Sequence, residues 1–260
     1  MDLQLTGRRA VVTGGSRGIG RAIARALAAE GCDVGLVARH QAALEAAAVE
    51  LAGESGRRIV ALPADTGVDA EVEAMATRAR ESLGGVDILV NAAATPNTGA
   101  PLRESDLERE INVKVRGYLR CARAFAPGMA ELGWGRIINI SGLAARQAGT
   151  VVGSVRNVAV AAMTKNLADE LGPSGINVTV VHPGMTRTER TPETLAAMAD
   201  ARGVSVGDAE AALTAPVVIG RLVTADEVAA VVTFLASPLS VAITGDAIAA
   251  GGGARGPIYY

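Results

Sequence analysis

The sequence predicts an α/β chain folded as one doubly wound, parallel sheet of seven strands. Three observations carry this. Short β-branched runs alternate along the chain with longer Ala/Leu-rich stretches of helical period, the pattern of repeated strand–helix–strand units. A glycine-rich turn, Gly14-Gly15-Ser16-Arg17-Gly18-Ile19-Gly20, joins the first such run to the first helical stretch. No linker, repeat or block of like charge divides the 260 residues, a length that an α/β sheet commonly uses as one domain.

The elements follow in order. Strands are expected at 10–13, 34–38, 59–63, 86–91, 137–141, 177–181 and 247–250, each a short, nearly continuous apolar run of the kind a strand buried on both faces requires. Helices are expected between them at 19–30, 41–54, 69–82, 106–131, 153–171 and 226–235, where apolar residues recur at helical spacing. The stretch 185–216 breaks the alternation: it is long, Ala-rich and polar, and it opens on Thr186, Arg187, Thr188, Glu189 and Arg190. Ligands of an open α/β sheet bind beyond the carboxyl ends of the strands, so this stretch is expected to be a substrate lid.

Composition excludes several classes of function. The formal charge is −2 with no basic tract, which leaves no electrostatic footprint for nucleic acid or an anionic membrane. No apolar run approaches the roughly 20 residues of a membrane helix, and residues 1–9 lack a signal-peptide core. Cys32 and Cys121 are too few and too far apart for a disulfide framework or a zinc site, so they are expected as buried, inert thiols. The expectation is a soluble cytoplasmic protein whose partners are small molecules or copies of itself, with no metal. The chain also has only three Tyr (Tyr118, Tyr259, Tyr260) and two Lys (Lys114, Lys165) among 25 basic residues. A GC-rich coding bias would explain both scarcities, yet the positions of these residues matter below.

The glycine turn has a physical purpose. Glycines allow a tight turn and close backbone approach to a pyrophosphate, while the following helix presents free N–H groups and its positive dipole end to the anion. With its Gly-x-x-x-Gly-x-Gly spacing, the turn resembles that of the short-chain dehydrogenase/reductase family, a Rossmann-type fold, and the likeness runs along essentially the whole chain. Asp65 matches the family's adenine-contacting Asp. Asn91-Ala92-Ala93-Ala94 is similar to its Asn-Asn-Ala-Gly, with the second Asn and the Gly lost. Asn112, in Ile111-Asn112-Val113, is similar to its active-site Asn, and Pro183-Gly184 with Thr188 to the segment at the nicotinamide end. Ile243-Thr244-Gly245 and Gly251-Gly252-Gly253 resemble its last strand and exit. The resemblance thus implies a nicotinamide cofactor held by Gly14, Ser16, Arg17, Gly18, Ile19, Gly20, Arg39, Asp65, Asn91, Pro183, Gly184 and Thr188.

The second strand ends Val37-Ala38-Arg39. An acidic residue there would hold a ribose 2′-OH, whereas Arg accommodates a 2′-phosphate. With Arg39 at this edge, Arg17 in the facing loop and no acid, NADP(H) is the expected cofactor; two solvated surface arginines are the competing reading.

The catalytic side chains that the resemblance implies are missing. A Ser orients the carbonyl, a Tyr exchanges the proton, and a Lys four residues later lowers the Tyr pKa and holds the ribose. Anchored on the strand at 137–141 and on Lys165, these positions fall at Gly142, Gly153 and Asn157. No Tyr lies between Tyr118 and Tyr259, and Lys165 lies about 12 Å along the helix beyond the motif position. Of the expected centre only Asn112 remains. A positioned acid or base contributes about 10² to 10⁴ in rate, so a Tyr-dependent alcohol–ketone interconversion should be very slow. Possible substitutes each have an ordinary alternative: Ser141 as a structural Ser, Arg146, Arg156 and Ser154 as a solvated flank rather than an anion clamp, His182 as a structural His rather than a base near neutrality, and Tyr259 and Tyr260 as a tail rather than a contribution to a neighbour's site.

Three functions stay open: an NADP(H)-dependent oxidoreductase with an unusual proton source, acting on a small organic, aromatic or polyketide-like substrate; a catalytically silent cofactor- or partner-binding member; and a non-redox cyclase, dehydratase or isomerase. The resemblance also implies a homodimer or homotetramer assembled through the helices at 106–131 and 153–171; the second carries Val158, Ala159, Val160, Ala161, Ala162 and Met163, too apolar all round for a solvated helix.

Overall fold

A computed structural model describes residues 1–95 and 104–255. In chain order the first half comprises β1 (Arg9–Thr13), α1 (Gly18–Ala29), β2 (Asp33–Ala38), α2 (Gln41–Ser55), β3 (Ile59–Pro63), α3 (Asp69–Leu83), β4 (Ile88–Asn91) and α4 (Glu104–Glu110). A π-helical turn (Ile111–Arg116) leads into α5 (Gly117–Glu131), followed by β5 (Gly135–Ile140), α6 (Val151–Leu171) and β6 (Ile176–Pro183). The chain then forms β7 (Thr186–Arg187), α7 (Thr191–Arg202), α8 (Val206–Thr214), β8 (Val223–Thr224), α9 (Ala225–Ala236) and β9 (Ala247–Ala250).

The main sheet has seven strands in the order β3-β2-β1-β4-β5-β6-β9, all parallel, as the sequence predicts. Strand order reverses beside β1, where Thr13 pairs with Val37 on one side and Asn91 on the other. That reversal opens a crevice at the carboxyl edge, the binding position of such sheets.

Alternation along the strands divides the core into two layers. Ala10 and Val12 of β1 face Ile23, Leu27 and Leu44, whereas Val11 faces Met75, Leu83 and Phe125. Each fully buried Leu or Ile side chain contributes about 1.5–3 kcal/mol. Cys32 and Cys121 lie within these layers, and burial pushes both thiols up to about 12, which makes them inert. Among the described residues no helix is long and apolar enough to cross a membrane.

Two departures from expectation bear on the site. The helix expected at 106–131 is interrupted: the π turn at Ile111–Arg116 widens one turn, a feature frequent at functional sites. Just beyond it Gly117 passes so close to β3's exit that a Cβ would lie 2.9 Å from the Thr66 carbonyl oxygen. The stretch 185–216 contains two helices, α7 and α8, and β7 pairs in parallel with β8 through Thr186 and Val223.

Candidate active site

The glycine turn is built as a cradle. Gly14 has φ +70°, and a Cβ there would approach the Ala92 carbonyl oxygen to 2.8 Å. A Cβ at Gly20 would collide with the Gly14 carbonyl. Thr13 Oγ1 accepts the N–H groups of Ala92 (3.0 Å) and Ala93 (3.1 Å), which ties the turn to the exit of β4. Arg17, extended and exposed, precedes α1, with Ser16 beside it on the lip. Ile19 packs back onto the core and so fixes the direction of α1.

At the mouth of this cradle the Gly18 N–H donates to Glu189 Oε1 at 2.9 Å, a contact spanning 171 residues. The carboxylate belongs to the 185–216 stretch, and Thr188 beside it also faces Gly18. An anion therefore already sits on the free N–H of α1, in the way a phosphate oxygen would. The turn fits a dinucleotide's pyrophosphate.

The neighbouring edge is cationic. Arg39, exposed after β2, lies 3.9 Å from Asp65. Asp65 Oδ1 accepts the Gly67 N–H at 2.8 Å, which shapes the exit of β3. At the far end, Pro183 closes β6 opposite Ala250, and a Cβ at Gly184 would lie 3.3 Å from Gly251 Cα, so two backbones touch where the crevice floor turns outward. Asn91, an expected cofactor contact, is fully buried: Nδ2 donates to Asn139 Oδ1 at 3.0 Å, bolting β4 to β5, while Oδ1 has no partner among the described residues.

At the centre where the sequence leads one to expect Ser and Lys replaced, positions 142 and 157 are adjacent, since a Cβ at Gly142 would lie 3.1 Å from Asn157 Nδ2. The Ser141 hydroxyl donates to the Asn157 carbonyl at 3.1 Å and lies 3.3 Å from Asn157 Oδ1, a structural use of that Ser. At Gly153 the N–H donates to Thr150 Oγ1 at 3.1 Å, capping α6, and a Cβ would meet that hydroxyl at 2.8 Å. Tyr118 is buried with its hydroxyl donating to Ile140 O at 3.0 Å; burial pushes its pKa up, so it is no proton donor. Tyr259 and Tyr260 lie outside the described residues.

Asn112, expected in the active site, is turned away from it. Its Nδ2 donates to Gly67 O at 3.1 Å and its Oδ1 accepts from Arg120 at 3.0 Å, so the amide is spent on the exit of β3. Two residues on, across the π turn, Lys114 faces inward instead. It is buried, and Nζ donates to Ser141 O at 2.9 Å, immediately before Gly142. The sequence signal was present: Lys114 is one of two lysines and stands next but one to Asn112. The other, Lys165, is exposed and paired with Asp169 at 2.6 Å, as its position beyond the motif implies.

Charged groups surround Lys114. Glu110, one turn earlier, accepts from Arg156 of α6 and from Thr95, so Arg156 is neither solvated nor an open anion clamp. Ser154 on the same helix is half-buried. Arg146 donates to Ala247 O. His182, on β6, is buried with Nδ1 unpartnered; burial, then Arg146 and Lys114, push its pKa down to about 4. It is a neutral structural His rather than a base near neutrality.

Comparisons with known proteins agree with this geometry. The family model described as short chain dehydrogenase matches residues 8–199. The short-chain reductase protein NovJ of Streptomyces niveus is 37% identical over 249 residues, covering 94% of this chain and 92% of that one. L-Sorbose reductase from Gluconobacter frateurii, solved with NADPH and L-sorbose, superposes with a TM-score of 0.93 at 29% identity, covering 99% of this chain and all of the other. A variant of actinorhodin polyketide ketoreductase solved with NADPH gives 0.87 at 34% identity, covering 94% and 96%. With the strand order, the glycine cradle and this breadth of match together, the chain belongs to the short-chain dehydrogenase/reductase family.

Proposed function

We propose that this chain binds NADP(H) and acts as an oxidoreductase on a small organic substrate, aromatic or polyketide-like, by a proton route that does not use the family's Tyr/Lys pair. The observation that carries the reading is the seated Glu189 carboxylate on the Gly18 N–H, beside an edge that holds Arg17 and Arg39 but no acid after β2. Gly14, Ser16, Gly18, Ile19 and Gly20 would take the pyrophosphate, Arg39 the 2′-phosphate, Asp65 the adenine, and Pro183, Gly184 and Thr188 the nicotinamide end. When bound, the cofactor supplies or accepts the hydride. The substrate class rests on likeness to a polyketide ketoreductase. Residues 185–216 form the lid over this edge.

The test is purified protein with NADPH and a panel of aryl and polyketide-like ketones. Stoichiometric loss of reduced-nicotinamide absorbance with alcohol formation is expected. A second reading, a silent cofactor-binding member, is favoured by the hydrogen bonds that close positions 153 and 157; it predicts binding without turnover on every substrate in the panel.

We also propose self-association, as a homodimer or homotetramer. Val151, Val155 and Val158 of α6 form an exposed apolar stripe (59%, 45% and 48% accessible), at spacing that puts them on one helical face. Light scattering that returns a 26.3 kDa monomer would refute this.

A further inference from the structure

Position 157 holds an amide, yet the centre is not without a cation. Glu110, Lys114 and Tyr118 lie four residues apart on one stripe that runs through the π turn and faces α6. The Tyr118 hydroxyl and the Lys114 ammonium bond the consecutive carbonyls of Ile140 and Ser141, so Lys114 Nζ is held at the last residue before Gly142. Ser141 in turn bonds Asn157. Ser141 thus links the ammonium of one helix, through its carbonyl, to the Asn157 carbonyl of the other, with Asn157 Oδ1 3.3 Å from its hydroxyl. An ammonium buried on a neutral carbonyl costs several kcal/mol unless it is compensated, and the carboxylate on its own stripe, Glu110, is already paired with Arg156.

We propose that Lys114 is the cation facing the nicotinamide end of the bound cofactor, standing in for the lysine missing from position 157, and that its Nζ holds the proton exchanged with the substrate oxygen. The proposal rests on the NADP(H) reading above. In the reducing direction the cofactor, when bound, would supply a hydride to the carbonyl carbon, and the carbonyl π pair would take a proton from Nζ. The N–H bond breaks, an O–H bond forms, and the neutral amine left behind is reprotonated by water.

The surroundings suit a group that changes charge. Burial first, then Arg156 of α6, lower the Lys114 pKa to about 7 against the opposing pull of Glu110. The remaining facing groups are His182 on β6, held neutral, Arg146 behind it, and the protonated Tyr118. Lys114 is therefore divided between ammonium and amine near neutrality, where a proton-exchanging group works best.

The chain's two lysines make the test direct. Labelled with lysine carrying carbon-13 at Cε, the full-length protein gives two signals. That of Lys114 should titrate near pH 7 and move when NADP⁺ is added, whereas that of exposed Lys165 should not move with NADP⁺. In a calorimetric titration Lys114→Met should weaken NADPH binding about tenfold, the worth of one charged contact of about 1.4 kcal/mol. Lys114→Asn combined with Asn157→Lys should return it to within about threefold of the parent. A Lys114 signal that ignores bound NADP⁺, or a Lys114→Met variant that binds NADPH as the parent does, overturns the assignment. Should Lys114→Met fail to fold, the label on the parent chain decides. If NADP⁺ and NADPH bind nowhere, the NADP(H) reading falls first; if they bind and Lys114 is silent, this inference alone falls.

Discussion

Glu189 should act as a built-in competitor of the cofactor. Its Oε1 accepts the Gly18 N–H at 2.9 Å, so a pyrophosphate oxygen arriving at α1 must displace it. A carboxylate at a helix N-terminus contributes about 0.3–1 kcal/mol at an exposed position. A hydrogen bond to a charged acceptor reaches about 1.5–3 kcal/mol when sheltered. Glu189 is exposed, so about 1 kcal/mol is the appropriate figure, which is about fivefold in Kd. Glu189→Ala should therefore bind NADPH about fivefold more tightly, and Glu189→Gln, which keeps a weaker acceptor, about twofold. The gain should shrink as salt is raised, because the contact is screened. Titration of NADPH fluorescence at low and high ionic strength measures both, and amide exchange across residues 185–216 should quicken in the Ala variant as that stretch loses its tie to α1. A Glu189→Ala protein that binds NADPH no better than the parent, at low salt, refutes the competition.

Other outcomes follow from the same geometry. Gly20→Ala drives a Cβ into the Gly14 carbonyl, an overpacking cost of about 1–3 kcal/mol, so it should lower the melting temperature and abolish NADPH binding; a variant that melts and binds like the parent contradicts the cradle. Asp87 is buried beneath Arg9; burial raises its pKa, but three bonds from Arg9 at 2.8–2.9 Å outweigh this and hold it below the usual carboxylate value. A depressed carboxylate stabilises the fold above its unfolded pKa and loses that contribution as pH falls through the folded one, so melting temperature should drop below about pH 4 and Asp87→Asn should remove most of that acid dependence. His182, pushed from 6.5 to about 4, likewise favours the fold at pH above 6.5 and withdraws that support as pH falls toward 4; its NMR signal should stay that of neutral imidazole at pH 6.

The sheet was legible in the sequence because buried parallel strands are written as continuous apolar runs; β2, β3 and β9 begin or end within a residue of expectation. The glycine cradle was legible because only glycine tolerates both the φ of Gly14 and the approach of Ala92. The π turn was not: over six residues a widened turn leaves the apolar spacing almost unchanged, so 106–131 reads as one helix. Across that widening Asn112 turns to Gly67 while Lys114 turns to Ser141, which residue type alone does not show. For Asn91 the sequence does not show that Nδ2 joins two strands, nor that its Oδ1 is left buried without a partner among the described residues. Glu189 stood out only as part of the polar opening of 185–216, and its partner was not legible because it lies 171 residues away.

We propose that the dinucleotide cradle keeps a 2′-phosphate preference beside Gly142, Gly153 and Asn157, the residues that stand where the resemblance implies Ser, Tyr and Lys. Calorimetric titration of the purified protein with NADPH and with NADH tests it most directly. One charge-assisted contact from exposed Arg39 predicts NADPH binding about tenfold tighter than NADH. Equal affinity for the two, or no binding of either, would contradict the account.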